Sequence, residues 1–361
     1  MYQKDQHLLE ERWRAFWAKE NHDRPVMTVY APNGKNSSVQ VKEPETVDDR
    51  YLDPNFVIPN FRRGMEMTYF GGEAFPLFWP NVGTDVLAAL AGCELFYAPD
   101  TVWAKAFVED WDDLPPFKFD ENNFYFQKAL DLVKAAVEDC NGDYIIGNTD
   151  IHPGLDALSA LRGGEDLCFD YIEAREKLYP RIEQIFELEK ELFTRLDDTI
   201  SASGQKGTSS WFNLYHPDKK WYPTSCDVSC MISGDDFEDL VVPGLLKELD
   251  FFEASIYHLD GTVALHHLDR LVSIPELDGI QWLPGTGKPS IANWIDVMKK
   301  IQDAGKLLVV GAESLEDVRA VCENLNPEGV CLNVYTGSPE EAEDVLKMAE
   351  NICSDRRKSV L

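Results

Sequence analysis

The sequence predicts a (β/α)8 TIM barrel, an α/β fold, carrying an N-terminal helical addition and a loop-rich insertion. Three observations predict it. Eight short apolar runs are separated by helical or irregular segments, and strand alternates with helix without hairpin signals, which is the pattern of a parallel sheet. No GxGxxG opens a helix after the first strand and no GxxxxGK[ST] occurs, so an open dinucleotide-binding sheet has little support. Several of the runs end in polar or aromatic residues, and barrel active sites lie at the carboxyl ends of the strands.

Element by element, Leu8, Leu9, Trp13, Phe16 and Trp17 recur at helical spacing, so residues 1–23 read as an amino-terminal helix stopped before Pro25. Val26–Tyr30 is the first strand. Residues 35–70, with Glu43, Pro44, Asp48, Asp49 and Asp53-Pro54, read as a loop-rich insertion with one helix at most, lying over the barrel mouth. Phe75–Trp79 is the second strand, followed by two short extended pieces, Cys93–Tyr97 and Val102–Val108. The apolar face of Asn122–Asp139 predicts an amphipathic helix leading to the third strand, Tyr144–Gly147. A long charged helix spans Ile172 to about Asp198. The Trp211–Asp227 region supplies the fourth strand. Ser255–Leu259, Gly279–Trp282, Lys306–Val310 and Val330–Asn333 then alternate with helices to complete eight. The whole of 1–361 is expected to be one barrel domain, since such barrels run to about 250 residues and beyond.

A formal net charge of −30 argues against nucleic acid, because phosphate binding needs a basic stripe. No apolar run approaches the roughly 18 residues of a membrane span, and the polar start of the chain resembles neither signal nor anchor, so a cytoplasmic protein is expected. The eight cysteines form no CxxC pair and are expected to be reduced thiols.

The reactive candidates sit at the expected strand tips. In Ala254–Gly261, His258 and Asp260 are two apart and so share a face, with Gly261 turning the chain away. With Asp150 and Asp227 they are the candidate catalytic groups, able to act as acid and base or to hold a metal. Trp79, Asn81, His152, Tyr215, Trp282 and Tyr335 are the candidate substrate contacts, an aromatic surround suited to a flat or apolar molecule. A zinc site would need a third ligand beside His258 and Asp260, and Cys331 or Asp227 is available. Each residue also has a plainer role: the tryptophans as core, Cys331 as a buried thiol, Asp227 as a loop cap.

Asp23-Arg-Pro-Val26 opening the first strand, Ile146-Gly-Asn-Thr-Asp-Ile-His-Pro-Gly154, Cys226–Ser233 and Pro339-Glu-Glu-Ala342 together resemble the uroporphyrinogen decarboxylase superfamily, over nearly the whole chain. That superfamily of barrels also contains corrinoid-linked methyltransferases. The decarboxylase proper carries arginines after its first strand, an aspartate on the second and a histidine on the eighth. Here Ala31–Lys35, Trp79-Pro-Asn81 and Asn333–Thr336 stand there instead, so the resemblance does not extend to porphyrinogen decarboxylation. Thiol-directed methyltransferases place His-x-Cys on the fifth strand and a further cysteine on the eighth, binding zinc. Here His258-Leu-Asp260 has aspartate in the cysteine position, and Cys331 lies close to the last position without matching it.

The resemblance implies a corrinoid-dependent methyltransferase acting on a small methylated substrate, aromatic ones included. The corrinoid would be carried by a partner protein, and the chain would pair with itself. The alternatives are a lyase or decarboxylase of a small organic acid using His/Asp acid–base chemistry, and a non-catalytic aromatic- or sugar-binding protein.

Overall fold

The computed structural model describes residues 6–360. The first five residues of the expected amino-terminal helix therefore lie outside the described residues, and the helix runs from Gln6 to Ala18. Thirteen strands follow: β1 (Val26–Pro32), β2 (Thr68–Gly72), β3 (Leu77–Phe78), β4 (Glu94–Tyr97), β5 (Val102–Lys105), β6 (Ile145–Ile146), β7 (Thr208–Ser209), β8 (Tyr215–His216), β9 (Trp221–Ser225), β10 (Ala254–Asp260), β11 (Gly279–Leu283), β12 (Leu307–Ala312) and β13 (Val330–Tyr335).

Seven of them form one mostly parallel sheet in the order β2-β1-β13-β12-β11-β10-β9. All eight expected strand segments are present, as β1, β3, β6 and β9 to β13. Their ladders do not run all the way round: β3 and β6 form a separate parallel pair, with Leu77 beside Ile145 and Phe78 beside Ile146. The architecture is thus compatible with a barrel-like wall, with a continuous ladder on one side of it. Proline explains part of the gap. Pro76 and Pro80 bracket the two-residue β3, and a proline has no N–H to give to a ladder. Single bonds link the segments beyond it: Asn148 N donates to Ser209 O at 2.9 Å, and Trp221 Nε1 to Thr208 O at 2.8 Å.

Three antiparallel pairings that the sequence did not signal interrupt the alternation: β1 with β2, β4 with β5, and β7 with β8. The return of β2 onto β1 depends on Gly72, whose φ is +56° and where a Cβ would meet Met27 O at 2.2 Å. Residues 35–70 hold two helices, Asp49–Leu52 and Pro54–Met67, where composition predicts one at most. The Asp53-Pro54 pair that reads as a loop is a helix start: Asp53 Oδ1 accepts from Asn55 N at 2.9 Å, and Pro54 takes the first helical position, where its missing N–H costs nothing. The second of these helices packs beside the helix Phe124–Cys140. Phe61 lies edge-on to Tyr144 at 4.9 Å, and Arg62 bonds Asp139 and Asp143 at 2.6 and 2.8 Å. Tyr51 meanwhile reaches the β4–β5 hairpin, donating to Ala98 O at 2.9 Å.

The two faces of the sheet separate by the strand period of two. One set, Val26, Trp221, Ala254, Ile256, Leu307, Val309 and Cys331, packs with Phe75, Phe212, Leu214, Tyr215 and the helix residues Leu9, Trp13 and Phe16. The alternate set, including Met27, Val29, Tyr257, Leu259, Ile280, Trp282, Leu308 and Leu332, packs with the surrounding helices in a second core. The amino-terminal helix therefore seals the amino-terminal end of the first set. Burying Leu9 and Phe16 there stabilises it by about 1.5–3 kcal/mol each. Further along β10, the next two positions on the same face as Ala254 and Ile256 are His258 and Asp260. The first face is apolar at its amino-terminal end and polar at its carboxyl end.

Candidate functional site

The polar end is assembled from β10 and from two loops, residues 147–153 after β6 and residues 226–228 after β9. The first loop is held on several sides. Thr149 Oγ1 donates to Pro80 O at 2.8 Å, Asn148 Nδ2 to Phe193 O at 3.2 Å, and the buried Tyr222 hydroxyl to Thr149 O at 2.6 Å. These bonds fix the backbone that carries Asp150 and His152.

Nε2 of His152 lies 3.2 Å from Oδ1 of the buried Asp150. Nδ1, on the other side of the ring, lies 3.8 Å from Oδ2 of Asp156 and 3.9 Å from Oδ2 of Asp227. Asp156 sits in the first turn of the helix Gly154–Arg162, and its two oxygens accept from Asp227 N and Val228 N, both at 2.9 Å. One carboxylate thus orients the other's loop. The Asp227 side chain is itself about half exposed, open to the space above the sheet.

The indole of Trp211 stands between the two histidines. It stacks on His152 at 6.1 Å with 17° between planes, and meets His258 edge-on at 5.3 Å. Phe212 lies 5.7 Å from His258 on another side. His258 is buried, and its Nδ1 is 2.5 Å from Oε1 of Gln281 on the neighbouring strand. An oxygen there requires the proton on Nδ1, which leaves Nε2 as the free ring nitrogen.

Charge in this region is lopsided. Burial, then the Asp156 carboxylate, pushes the Asp227 pKa up, with Asp260 adding to it, while His152 and His258 pull it down. Asp85, whose carboxylate accepts from Ala104 N at 2.9 Å, is also raised by burial and feels His152, Asp156 and Asp150. Burial opposes the charged form of His152, but Asp150 and Asp156 outweigh it and raise its pKa well above the ordinary imidazole value. After burial, the groups acting on Asp227 are the Asp156 and Asp260 carboxylates and the His152 and His258 imidazoles, and a cation beside the two carboxylates would relieve their repulsion of Asp227.

The structure brings together Asp150, His152, Asp227, His258 and Asp260 from the residues singled out in the sequence. Tyr335 ends β13, stacked on Tyr30 of β1 at 5.5 Å and exposed, as an aromatic pair on the rim. Trp79 and Asn81 directly follow β3, and Asn81 Oδ1 turns back to accept from Gly83 N at 3.1 Å.

Three expected site residues lie elsewhere. Tyr215 is at the amino-terminal end, where its carbonyl accepts from Trp17 Nε1 at 2.9 Å. Trp282 alternates onto the helix-facing side, 5.9 Å from Trp294, because its neighbour Gln281 takes the other face. Cys331 is fully buried in the apolar end, paired in register with Val26 and Val309. Burial drives its thiol pKa well up. Among the described residues, the three-residue group whose donor atoms approach within 4.8 Å of one another is His152, Asp156 and Asp227, rather than His258, Asp260 and Cys331. Asp156 and Asp85 were not anticipated. The His152/Asp156 spacing of four was a usable signal for the first, whereas Asp85 is brought in only by tertiary structure.

A separate cavity of about 630 Å³ opens at the opposite end, bordered by Leu9, Glu10, Phe75, Tyr144, Gln205 and Tyr215. Neither His152 nor His258 lines it. No described helix is long and apolar enough to cross a membrane.

No protein-family model and no curated protein matches this chain. A solved structure described as a methyltransferase from Methanosarcina mazei does: it is 15% identical, the alignment covers 95% of this chain and 98% of that one, and the TM-score is 0.59. The chain therefore shares, over nearly its whole length, the fold of that methyltransferase.

Proposed function

We propose that this protein is a methyltransferase of the uroporphyrinogen decarboxylase-like kind, taking a methyl group from a small methylated substrate and passing it to a corrinoid carried by a separate protein. The observation that carries this reading is the arrangement of His152, Trp211 and His258 at the carboxyl ends of the strands, on a fold shared with a methyltransferase. Removing a methyl group from oxygen or nitrogen leaves an electron pair on that atom, while the nucleophilic cobalt supplies the pair for the new bond. The leaving atom needs a proton or a cation. His258, oriented by Gln281, presents its other nitrogen beside Trp211 and Phe212, and the carboxylates around His152 favour positive charge there, whether a proton on the ring or a bound cation. The aromatic groups favour an aromatic or otherwise flat methyl donor.

Incubation with reduced cobalamin and a panel of methoxylated aromatics and methylamines tests it. Methylcobalamin should form with at least one donor and should be lost in His258→Ala. Folded protein that transfers nothing across the panel argues against the reading.

A second reading, a lyase or decarboxylase of a small acid, is favoured specifically by the buried Asp150–His152 pair, which is a ready acid–base couple. Turnover of a carboxylic acid without any corrinoid would establish it.

A further inference from the structure

We infer that His152, Asp156 and Asp227 form the metal site of this protein, binding a divalent first-row ion of borderline character such as Zn²⁺, in place of the His258/Asp260/Cys331 set suggested by sequence. The inference goes beyond the methyl-transfer reading and does not require it.

The geometry has four parts. First, Nδ1 of His152 is 3.8 and 3.9 Å from the facing oxygens of Asp156 and Asp227, too far for hydrogen bonds. Ligands at zinc distances of about 2.0–2.1 Å stand roughly 3.3–3.4 Å apart in a tetrahedron; the two separations from His152 exceed this by about half an ångström, and all three donor atoms lie within 4.8 Å of one another. Second, the far side of the same ring faces Asp150. Oδ1 of Asp150 is buried and has no hydrogen-bond partner of good geometry, while lying 3.2 Å from His152 Nε2. A buried carboxylate behind a ring whose other nitrogen faces two carboxylates is the carboxylate–histidine–metal arrangement, in which the outer group fixes the tautomer and raises the ligand's basicity.

Third, Asp156 is already oriented by the backbone N–H groups of Asp227 and Val228, and each of its oxygens keeps a lone pair for an ion. Little ordering remains to be done on binding. Fourth, the half-exposed Asp227 leaves one side of the group open. Three protein ligands with an open position is the pattern of a catalytic rather than a structural zinc. The donor set of one imidazole and two carboxylates selects against soft ions and, through its nitrogen, against Mg²⁺ and Ca²⁺.

The full chain, stripped with chelator and dialysed against Zn²⁺ as the probe, tests this by metal analysis and calorimetry. The expected result is one zinc per chain. Asp227→Asn and His152→Ala should each weaken binding by about tenfold or more, and Asp150→Asn by about 10–100-fold as an outer-shell change. Asp260→Asn should leave the affinity within about twofold. Circular dichroism and urea midpoints check folding, and the half-exposed Asp227→Asn keeps the test decisive should His152→Ala fail to fold. Zinc no higher than the dialysis background overturns the inference. So does one zinc that survives Asp227→Asn at full affinity, or one that is lost in Asp260→Asn.

Discussion

His258 is paired with Gln281 across the β10–β11 ladder, at 2.5 Å, rather than with Asp260 two residues along its own strand. Parallel register sets the two residues side by side on the same face. A side chain two positions away along a strand is about 6.6–6.8 Å off, whereas the residue opposite on the next strand is within hydrogen-bond reach. Asp260 ends the strand, exposed, with Gly261 at φ +80° turning away.

The first prediction follows from that pairing. Gln281→Leu removes the acceptor that fixes the His258 tautomer while roughly keeping volume. If His258 works in turnover, kcat should fall about 10–100-fold with little change in KM, by analogy with other oriented histidines. Gln281→Glu should instead raise the imidazole pKa and shift the pH–rate profile to higher pH. A Gln281→Leu protein with an unchanged profile and rate would remove His258 from the mechanism.

The second prediction concerns the Asp23-Arg-Pro opening of the first strand. Arg24 grips the buried Glu73 with two bonds, at 2.8 and 2.9 Å, and Glu73 also accepts from Met27 N at 2.8 Å and from Arg12 at 3.1 Å. Although burial alone would raise it, these partners hold the Glu73 carboxyl below its usual value. The motif is a structural clamp between β1 and the segment after β2. Arg24→Ala leaves a buried carboxylate with its main partner gone and should cost about 3–5 kcal/mol, measured by urea unfolding. Glu73→Gln combined with Arg24→Met should recover much of it.

How far the sequence was legible depends on the range of the interaction. β10 to β13 were read within a residue or two, because each is a buried apolar run bounded by turns. The carboxyl-end grouping of His258, Asp260, Asp150 and Asp227 followed from the same pattern. What failed was decided at a distance. Trp282 and Gln281 are adjacent in an all-buried strand, and nothing in GIQWL says which faces the helices. Tyr215 reads as a strand tip because it precedes the His216-Pro-Asp218 turn within the Trp211–Asp227 region expected to supply the fourth strand. The chain instead folds into the β7–β8 hairpin and then β9, which puts Tyr215 at the amino-terminal end. Cys331 shares a face with Asn333 and Tyr335 but lies too deep.

A third prediction uses His216, at the amino-terminal end. Its Nδ1 accepts from the backbone N–H of Asp218 and of Lys219, at 3.2 and 3.1 Å, and its ring lies 4.8 Å from Trp17. Accepting requires the neutral ring. Burial, with Lys219 adding to it, lowers its pKa to about 4. The sign follows: a depressed folded-state value means that the stabilisation is complete above the unfolded value near 6.5 and is lost as pH falls toward 4. The unfolding free energy measured in urea should decline over that window by up to a few kcal/mol. The imidazole C–H signals of His216 should titrate near pH 4. Titration near 6.5 would show that the ring is not held as the structure has it.

The last prediction concerns Glu189 and Glu248, two carboxyl groups buried between the helices Arg175–Ala202 and Val242–Phe251. Each keeps a buried oxygen, Oε2, with no hydrogen-bond partner. Burial raises the Glu189 pKa to about 8 and that of Glu248 well above its ordinary value, with Glu189 adding to the latter. Both groups are therefore protonated in the folded protein at neutral pH, though each would ionise if the chain unfolded. For a carboxyl raised in this way, the favourable contribution is complete below the unfolded value near 4.3 and is lost as pH rises through the folded one. Glu189→Gln keeps the shape and removes the ionisable proton, so it should stabilise the protein at pH 8–9 by roughly 1–3 kcal/mol and by less at pH 5. Urea unfolding of the two proteins at both pH values measures the difference. A variant whose stability tracks the parent protein at every pH would show that Glu189 finds a partner or water that the structure does not contain.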